Sequence, residues 1–407
     1  MVRMWKWLAV AFLVGCSGGS GDETNAQSDD EALAQCSDRK EMILWSPNTS
    51  FDSILDPLTP NLKCTHWYVG VPLSAGDKVN FHGGVKNEID AIHKRGSNFH
   101  ALAEFQWTAW RQWTIDNGKS WYDAGVEFRR RMDAAGFVLH YGDSDTWAIN
   151  ELPSSLVHSD DPSTTVQEVR ANAMNAIRGL FEGPNKDVNK KGVVYRVGVG
   201  QDYTDVGAMS LSKQRVEAFL SDDAFWASMD QHVRWWADET YADPMNECVP
   251  GTLTAIRSRH INDYVFHLPE LAEHGPATAR NFLRKTFTPL LNGAWKAPLG
   301  YGRNDVPADD FIMHVSTEVY AVRAWQGQHP AYGNRLGFAW VPHPANDADK
   351  ASVLEIGKRI GNAVDDVYKP GHGAAYACSP NGAYTFCSCS VNGAQFIETW
   401  ATVWDAW

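Results

Sequence analysis

Short apolar segments alternate with segments of helical period along most of the chain. This alternation is typical of β/α units built around a parallel sheet. The predicted strands are Met42–Ser46, His66–Leu73, Phe99–Phe105, Thr146–Leu152, Val193–Gly200, Val233–Glu239, Leu336–Pro342 and Ala383–Val391. Eight strands separated by helices predict an α/β protein with the (β/α)8 architecture of a TIM barrel.

Helical periodicity fills the intervals between these strands. Thr165–Phe181, for example, carries apolar residues at a period of 3.6. The other predicted helices are Val85–Lys94, Trp121–Ala135, Ser212–Asp230, Ser352–Tyr368 and a last one that includes Phe396 and Trp404. Three more, Ile256–Ala272, Ala279–Leu291 and Asp309–Gln326, predict an elaborated connection between the sixth and seventh strands. A doubly wound sheet would show the same alternation, but no Gly-rich phosphate fingerprint follows the first strand.

The N-terminal segment has the features of an export signal. Arg3 and Lys6 precede a short apolar run that ends in Leu13-Val14-Gly15-Cys16, which resembles the lipobox of bacterial lipoproteins. The resemblance implies that Cys16 is acylated and becomes the new N-terminus. We therefore expect a lipoprotein signal peptide at 1–15, a lipidated and flexible tether at 16–37, and the barrel at 38–407. The alternative is an ordinary secretory signal, with Cys16 incidental.

Export has consequences for location and for the cysteines. We expect the protein outside the cytoplasm, lipid-anchored to a bacterial membrane at the outer membrane or cell surface. The chain has 7 cysteines, so six remain beside Cys16. They are Cys36, Cys64, Cys248, Cys378, Cys387 and Cys389. An even number in an exported chain favours disulfides, whose pairing the sequence leaves open. No metal or cofactor is expected, because the histidines lack ligand spacing.

Composition narrows the possible partners. The chain has 36 basic and 49 acidic residues and a net charge of −13, so nucleic acid is not expected to bind. Its 18 tryptophans suit either a large core or a sugar-binding cleft. We expect a monomer with a polysaccharide or oligosaccharide substrate.

The sharpest motif is Trp147-Ala148-Ile149-Asn150-Glu151-Leu152-Pro153, an apolar strand that ends in Asn-Glu. It resembles the fourth-strand signature of retaining glycoside hydrolases with a TIM-barrel fold, the clan typified by cellulases and β-galactosidases. The resemblance implies that Glu151 is the general acid/base and that Asn150 binds the sugar 2-hydroxyl. Such an acid requires a pKa high enough to protonate a leaving oxygen near neutral pH. A structural role for Glu151, in a loop or an ion pair, is the alternative.

The second carboxylate is left open by the sequence. The family places its nucleophile at the end of the seventh strand, whereas Leu336–Pro342 is followed by His343 and no acid. Glu239, at the end of the sixth strand, is one candidate, and Glu104, near the end of the third, is the other. Either the strand count is one short or the second acid departs from the family pattern.

Further polar and aromatic residues follow the predicted strand ends, where barrel enzymes bind their substrates. The candidates for substrate binding are Asn150, Trp107, Tyr241, Gln201, Trp45, His343 and Trp340. The leading hypothesis is a surface-tethered glycoside hydrolase that cleaves an extracellular polysaccharide with a pair of carboxylates. A non-catalytic carbohydrate-binding or envelope-structural lipoprotein with the same fold is the alternative, and it would need no pair of acids. No Gly-x-Ser-x-Gly motif or catalytic cysteine favours another hydrolase.

Overall fold

The computed structural model describes the chain in segments. They are residues 40–45, 65–73, 83–139, 144–152, 166–182, 192–197, 217–240, 267–292, 322, 325–326, 329–333 and 335–339. The strands are β1 Lys40–Trp45, β2 Thr65–Pro72, β3 Phe99–Gln106, β4 Thr146–Leu152, β5 Gly192–Val197, β6 Val233–Thr240, β7 Phe287–Asn292 and β8 Leu336–Ala339. The helices are α1 Val85–His93, α2 Trp107–Asn117, α3 Trp121–Ala135, α4 Val166–Glu182, α5 Asp223–His232, α6 His267–Glu273 and α7 Ala277–Thr286, with a 3₁₀ turn at Pro330–Tyr332.

The eight strands form a closed barrel in chain order. Every neighbouring pair is parallel, and β8 closes the ring on β1 with Met42 opposite Leu336. Parallel strands require crossover connections, which the helices on the outside supply. The predicted (β/α)8 fold is confirmed. Within the described residues, every helix falls short of the length and apolar character of a transmembrane segment.

The seventh strand corrects the sequence prediction. Residues 279–291 were expected to be one helix, but α7 ends at Thr286 and β7 begins at Phe287. Pro289 explains the break, because proline lacks a backbone N–H and disfavours helical backbone in the residue before it, Thr288. Leu336–Ala339 is therefore the eighth strand, not the seventh.

This correction changes the connections. The expected elaborated connection between the sixth and seventh strands is in fact two connections, one on each side of β7. The expected strand Ala383–Val391 lies outside the described residues, and the ring is complete without it. The helices expected at Ser352–Tyr368 and at the end of the chain also lie outside them.

Local sequence determines some helix ends closely. The predicted helix Trp121–Ala135 matches α3 at both ends. The Ser120 hydroxyl accepts from the Asp123 backbone N–H, and the Asp123 carboxylate accepts from the Ser120 backbone N–H, which forms a capping box. Gly136 ends the helix with a φ of 91°, a left-handed conformation that favours glycine.

The core has two layers, separated by the barrel wall. The inner layer consists of Ile43, Tyr68, Leu102, Ala148, Val193, Tyr195, Trp235, Ala237 and Leu290, all nearly inaccessible to solvent. Residues on either side of these in the strands, such as Leu44, Ile149 and Trp236, pack outward against the helices. This alternation is the period of two that strands impose on their side chains.

The N-terminal opening of the barrel is filled by polar side chains. Glu41 accepts hydrogen bonds from Arg234 and, at 2.9 Å, from Trp235 Nε1. Arg335 Nε lies 3.8 Å from the same carboxylate. Beside it, His66 Nδ1 lies 3.0 Å from His100 Nε2. Because these groups bind one another, this end of the barrel is built for stability, and the C-terminal end is left for chemistry.

Candidate active site

The C-terminal ends of the parallel strands meet at one rim of the barrel. All three glutamates predicted from the sequence lie on strands that reach this rim: Glu104 on β3, Glu151 on β4 and Glu239 on β6. The side chains of Glu151 and Glu239 lie outside the described residues, so their placement here is that of the backbone.

Two polar residues of β3 lie on the inward-facing positions of the strand. Leu102 belongs to the inner core, and Glu104 and Gln106 follow it at the strand period of two. Glu104 is 2% exposed, whereas Gln106 is the one residue of β3 that is not fully buried. Gln106 is a candidate that the sequence analysis missed, although its phase with Glu104 could have indicated it.

Asn150 lies next to Gln106 across the sheet. The two residues are Cα partners in the β3–β4 ladder, a separation of about 4.8 Å between neighbouring strands. Asn150 is 1% exposed, and its Oδ1 has no hydrogen-bond partner among the described residues. A buried amide oxygen without a donor is costly, and because no described residue supplies one, this atom suits a donor from a bound ligand.

The end of β4 departs from regular alternation at the Asn150-Glu151 pair. Its register against β5 shifts between Ile149 and Leu152. Both of these residues belong to the outer core, although an odd number of steps separates them. A strand with a period of two cannot place both outward without an extra residue between them, which is the property of a β-bulge.

The register also sets the levels of the three glutamates. Leu152 is the partner of Arg196 on β5, and Arg196 is the partner of Asp238 on β6. Glu239 is therefore one to two residues further along its strand than the level of Glu151. Glu104 is the partner of Ala148, which lies three residues before Glu151, or about 10 Å along the strand.

Trp107 lies in the outer core. It is the first residue of α2, a helix that the sequence analysis did not predict, and it is 3% exposed. Its ring stacks on Trp121 at the start of α3, with ring centroids 4.1 Å apart. The structure does not bring this ring together with Glu104 and Asn150 on the inner face of the barrel.

The remaining predicted residues have no described side chain. Trp45 is the last residue of β1, so its backbone reaches the rim. Tyr241, Gln201, His343, Trp340 and the expected lipidation site Cys16 all lie outside the described residues. In the described segments, no three His, Cys, Asp or Glu side chains are grouped so that they could hold a metal ion.

Sequence comparison does not assign the chain to a family. No protein-family model matches the chain, and no curated protein matches it. Among solved structures, the chain is similar to a fungal β-1,4-galactanase, at 8% sequence identity and a TM-score of 0.40, over 78% of this chain and 98% of that one. The assignment of the barrel rests on the strand pairing described above, not on this similarity.

Proposed function

We propose that this protein is a glycoside hydrolase that cleaves a polysaccharide outside the cytoplasm, with Glu151 as the general acid/base. The observation that carries the proposal is the Asn150-Glu151 pair at the shifted end of β4 in a closed eight-stranded barrel. Active sites of this fold lie at the C-terminal rim, where the pair is found.

The register shift gives the pair a geometric rationale. In a regular strand, adjacent residues point to opposite sides of the wall. The extra residue between Ile149 and Leu152 removes this restriction and allows two consecutive side chains to share the inner side. In the proposal, Asn150 and Glu151 both contact the substrate.

We assign the second carboxylate to Glu239. In phase with the inward residues Trp235 and Ala237, position 239 is the next inward one on β6. It lies two strands from β4, so the curvature of the barrel brings inward side chains of the two strands toward each other. Glu104 lies opposite Ala148, about 10 Å further down the wall than Glu151, which suits a supporting role better.

The proposed reaction is a retaining double displacement. Glu151 protonates the glycosidic oxygen while Glu239 attacks the anomeric carbon, which breaks the bond to the leaving sugar and forms a glycosyl-enzyme ester. Glu151 then takes a proton from water, and the water releases the sugar from Glu239. Retention requires carboxyl groups about 5–5.5 Å apart, whereas inversion requires about 6.5–9.5 Å.

The test begins with a panel of galactan, xylan, mannan, arabinan and β-glucans incubated with the full-length protein. For a glycan that is cleaved, Glu151→Gln and Glu239→Gln should each lower kcat by a factor of about 10³ or more and leave the melting temperature unchanged. The matched control is Glu168→Gln, an exposed position of α4. Wild-type turnover by Glu151→Gln would refute the proposal.

Two further measurements distinguish retention from inversion and a hydrolase from a binding protein. An NMR record of the first product anomer distinguishes retention from inversion. A wild-type protein that binds a glycan of the panel without cleaving it would instead support the alternative, a carbohydrate-binding lipoprotein.

We also propose that Cys16 carries a lipid that anchors the protein to the membrane. The support is the sequence Leu13-Val14-Gly15-Cys16 after a short apolar run, followed by a polar segment suited to a tether. Cys16→Ser should move the protein from the membrane fraction to the soluble fraction and abolish labelling by a fatty-acid probe. Membrane retention of the unlabelled variant would contradict the proposal.

A further inference from the structure

The last residue of β3 differs from the rest of that strand. Residues 99–105 are all buried, and only Gln106 is partly exposed. Phe105 packs outward on Trp110 and Phe128, so the next position, Gln106, belongs to the inner side. Gln106 is therefore the point at which the inner face of β3 reaches solvent.

The helix that follows leads the chain away from the barrel mouth. α2 begins at Trp107 with no intervening loop. Trp110 stacks on Phe105 with ring centroids 5.0 Å apart, and Trp107 stacks on Trp121 of α3. Because α2 packs against the outer layer, the connection that follows β3 does not cover Gln106.

Across the sheet, Gln106 has Asn150 as its Cα partner. Asn150 is 1% exposed, and its Oδ1 accepts no hydrogen bond from any described residue. The two side chains are carboxamides, each of which offers two donors and an acceptor. Neighbouring amides of this kind complement the adjacent hydroxyl groups of a sugar, which also donate and accept.

We infer that Gln106 is a substrate-binding residue that holds hydroxyl groups of an uncharged sugar unit beside Asn150. The inference rests on the proposed function and adds a residue and a substrate class to the same site. A neutral amide binds hydroxyls without adding charge beside the proposed acids, whereas a carboxylate-bearing sugar would meet the negative charge of the proposed nucleophile, Glu239.

The experiment uses the full-length protein and the glycan of the panel that it cleaves or binds. Gln106→Ala should raise KM about three- to tenfold with a smaller change in kcat, as expected for the loss of one or two hydrogen bonds. Gln112→Ala is the matched control, because Gln112 is an exposed residue of α2 that donates to Asp116. This control should leave both parameters unchanged.

Affinity is measured separately by titration of the glycan into Glu151→Gln, with and without Gln106→Ala. A loss of affinity of about three- to tenfold supports the inference, and no loss overturns it. Gln106→Met, which keeps the side-chain length, replaces Gln106→Ala if the melting temperature of the latter falls. Wild-type turnover by Glu151→Gln would refute the proposed acid but not the amide site, which the titration tests by itself. If no neutral glycan binds the wild-type protein, both the proposed function and the inference about Gln106 fail.

Discussion

His93 Nε2 lies 2.8 Å from Asp145 Oδ1, which joins the end of α1 to the residue before β4. The Asp145 side chain is 1% exposed. Its Oδ1 also accepts from the Ala101 backbone N–H, and its Oδ2 accepts from that of Val138, each at 2.7 Å. One carboxylate thus connects α1, β3 and the segment between α3 and β4, at the end of the barrel opposite the candidate active site.

The first prediction concerns how the stabilisation from the His93–Asp145 hydrogen bond depends on pH. The hydrogen bond to Asp145 raises the pKa of His93 above its usual value of 6.5, against an opposing effect of burial. Since the folded-state pKa is the higher one, the stabilisation is fully present below about pH 6.5 and is lost as pH rises through the folded-state pKa. His93→Gln should therefore lower the free energy of unfolding more at about pH 5.5 than at about pH 9, measured by urea denaturation.

Asp145→Asn provides the control for this assignment. When His93→Gln is introduced into that background, the pH-dependent part of its effect on the free energy of unfolding should disappear, because the partner charge is gone. An effect of His93→Gln that grows toward alkaline pH in the wild-type background would contradict the predicted direction.

The second prediction concerns the crossing of α3 and α4. A Cβ added to Gly125 would lie 2.0 Å from the Ala176 carbonyl oxygen, and one added to Gly179 would lie 2.1 Å from that of Tyr122. The obstructing atoms are backbone, so the helices themselves would have to separate. Gly125→Ala and Gly179→Ala should each lower the free energy of unfolding by about 2–3 kcal/mol in chemical denaturation.

Gly275→Ala is the matched control. The nearest atom to its added Cβ is the Leu271 carbonyl oxygen at 3.4 Å, an ordinary contact. This variant should be neutral or stabilised by up to about 1 kcal/mol, because alanine restricts the unfolded chain. Equal destabilisation at positions 125 and 275 would show that the helix crossing is not the cause.

The third prediction concerns the polar group at the N-terminal opening of the barrel. Burial lowers the pKa of Arg335, and the Glu41 carboxylate opposes that shift. Glu41→Gln would leave the guanidinium groups of Arg234 and Arg335 near each other without an opposing charge. We expect the free energy of unfolding to fall by about 2–3 kcal/mol.

Asp90→Asn is the comparison for the Glu41 variant. It breaks an exposed pair with Lys86 and should cost less than about 1 kcal/mol. If the two variants lose the same free energy of unfolding, the partly buried position of Glu41 does not strengthen its ion pairs.

The fourth prediction concerns acid stability. Hydrogen bonds from Arg130 and then Arg131 lower the pKa of Glu127 from 4.5 to about 2. The folded-state pKa is the lower one, so this stabilisation is present above about pH 4.5 and is lost as pH falls toward about 2. Glu127→Gln should reduce the free energy of unfolding by less than about 1 kcal/mol at about pH 6, and the difference should vanish near pH 2. A difference that persists at about pH 2 would argue against the ionised carboxylate as its source.

How far the sequence could predict this fold depends on how local each feature is. The helix α3, Trp121–Ala135, and the strand Thr146–Leu152 were predicted with their observed ends. The strand β7 was missed because Phe287–Asn292 is a short apolar segment, and such a segment looks the same in a helix and in a buried strand. α2 was missed because its apolar side chains are not confined to one face: Ile115 is 62% exposed, whereas the neighbouring Thr114 is buried.

In the candidate site, too, some residues could be located from the local sequence and others only from the tertiary structure. Asn150 and Glu151 could be located from their own strand, because a strand end followed by Asn-Glu and proline is a local pattern. The phase of Gln106 with Glu104 could have indicated its inward position. Its neighbour on β4 and the outward packing of Trp107 and Trp110 are visible only in the tertiary structure.

The sequence by itself determined the alternation of strands and helices, the bounds of α3 and the position of the Asn-Glu pair, because each depends on residues a few positions apart. Tertiary structure alone decided the closure of β8 on β1, the levels of the three glutamates and the contact of Glu41 with Arg234, which are 193 positions apart. Such contacts depend on which strands become neighbours when the barrel closes, and the period of a single segment carries no record of that choice.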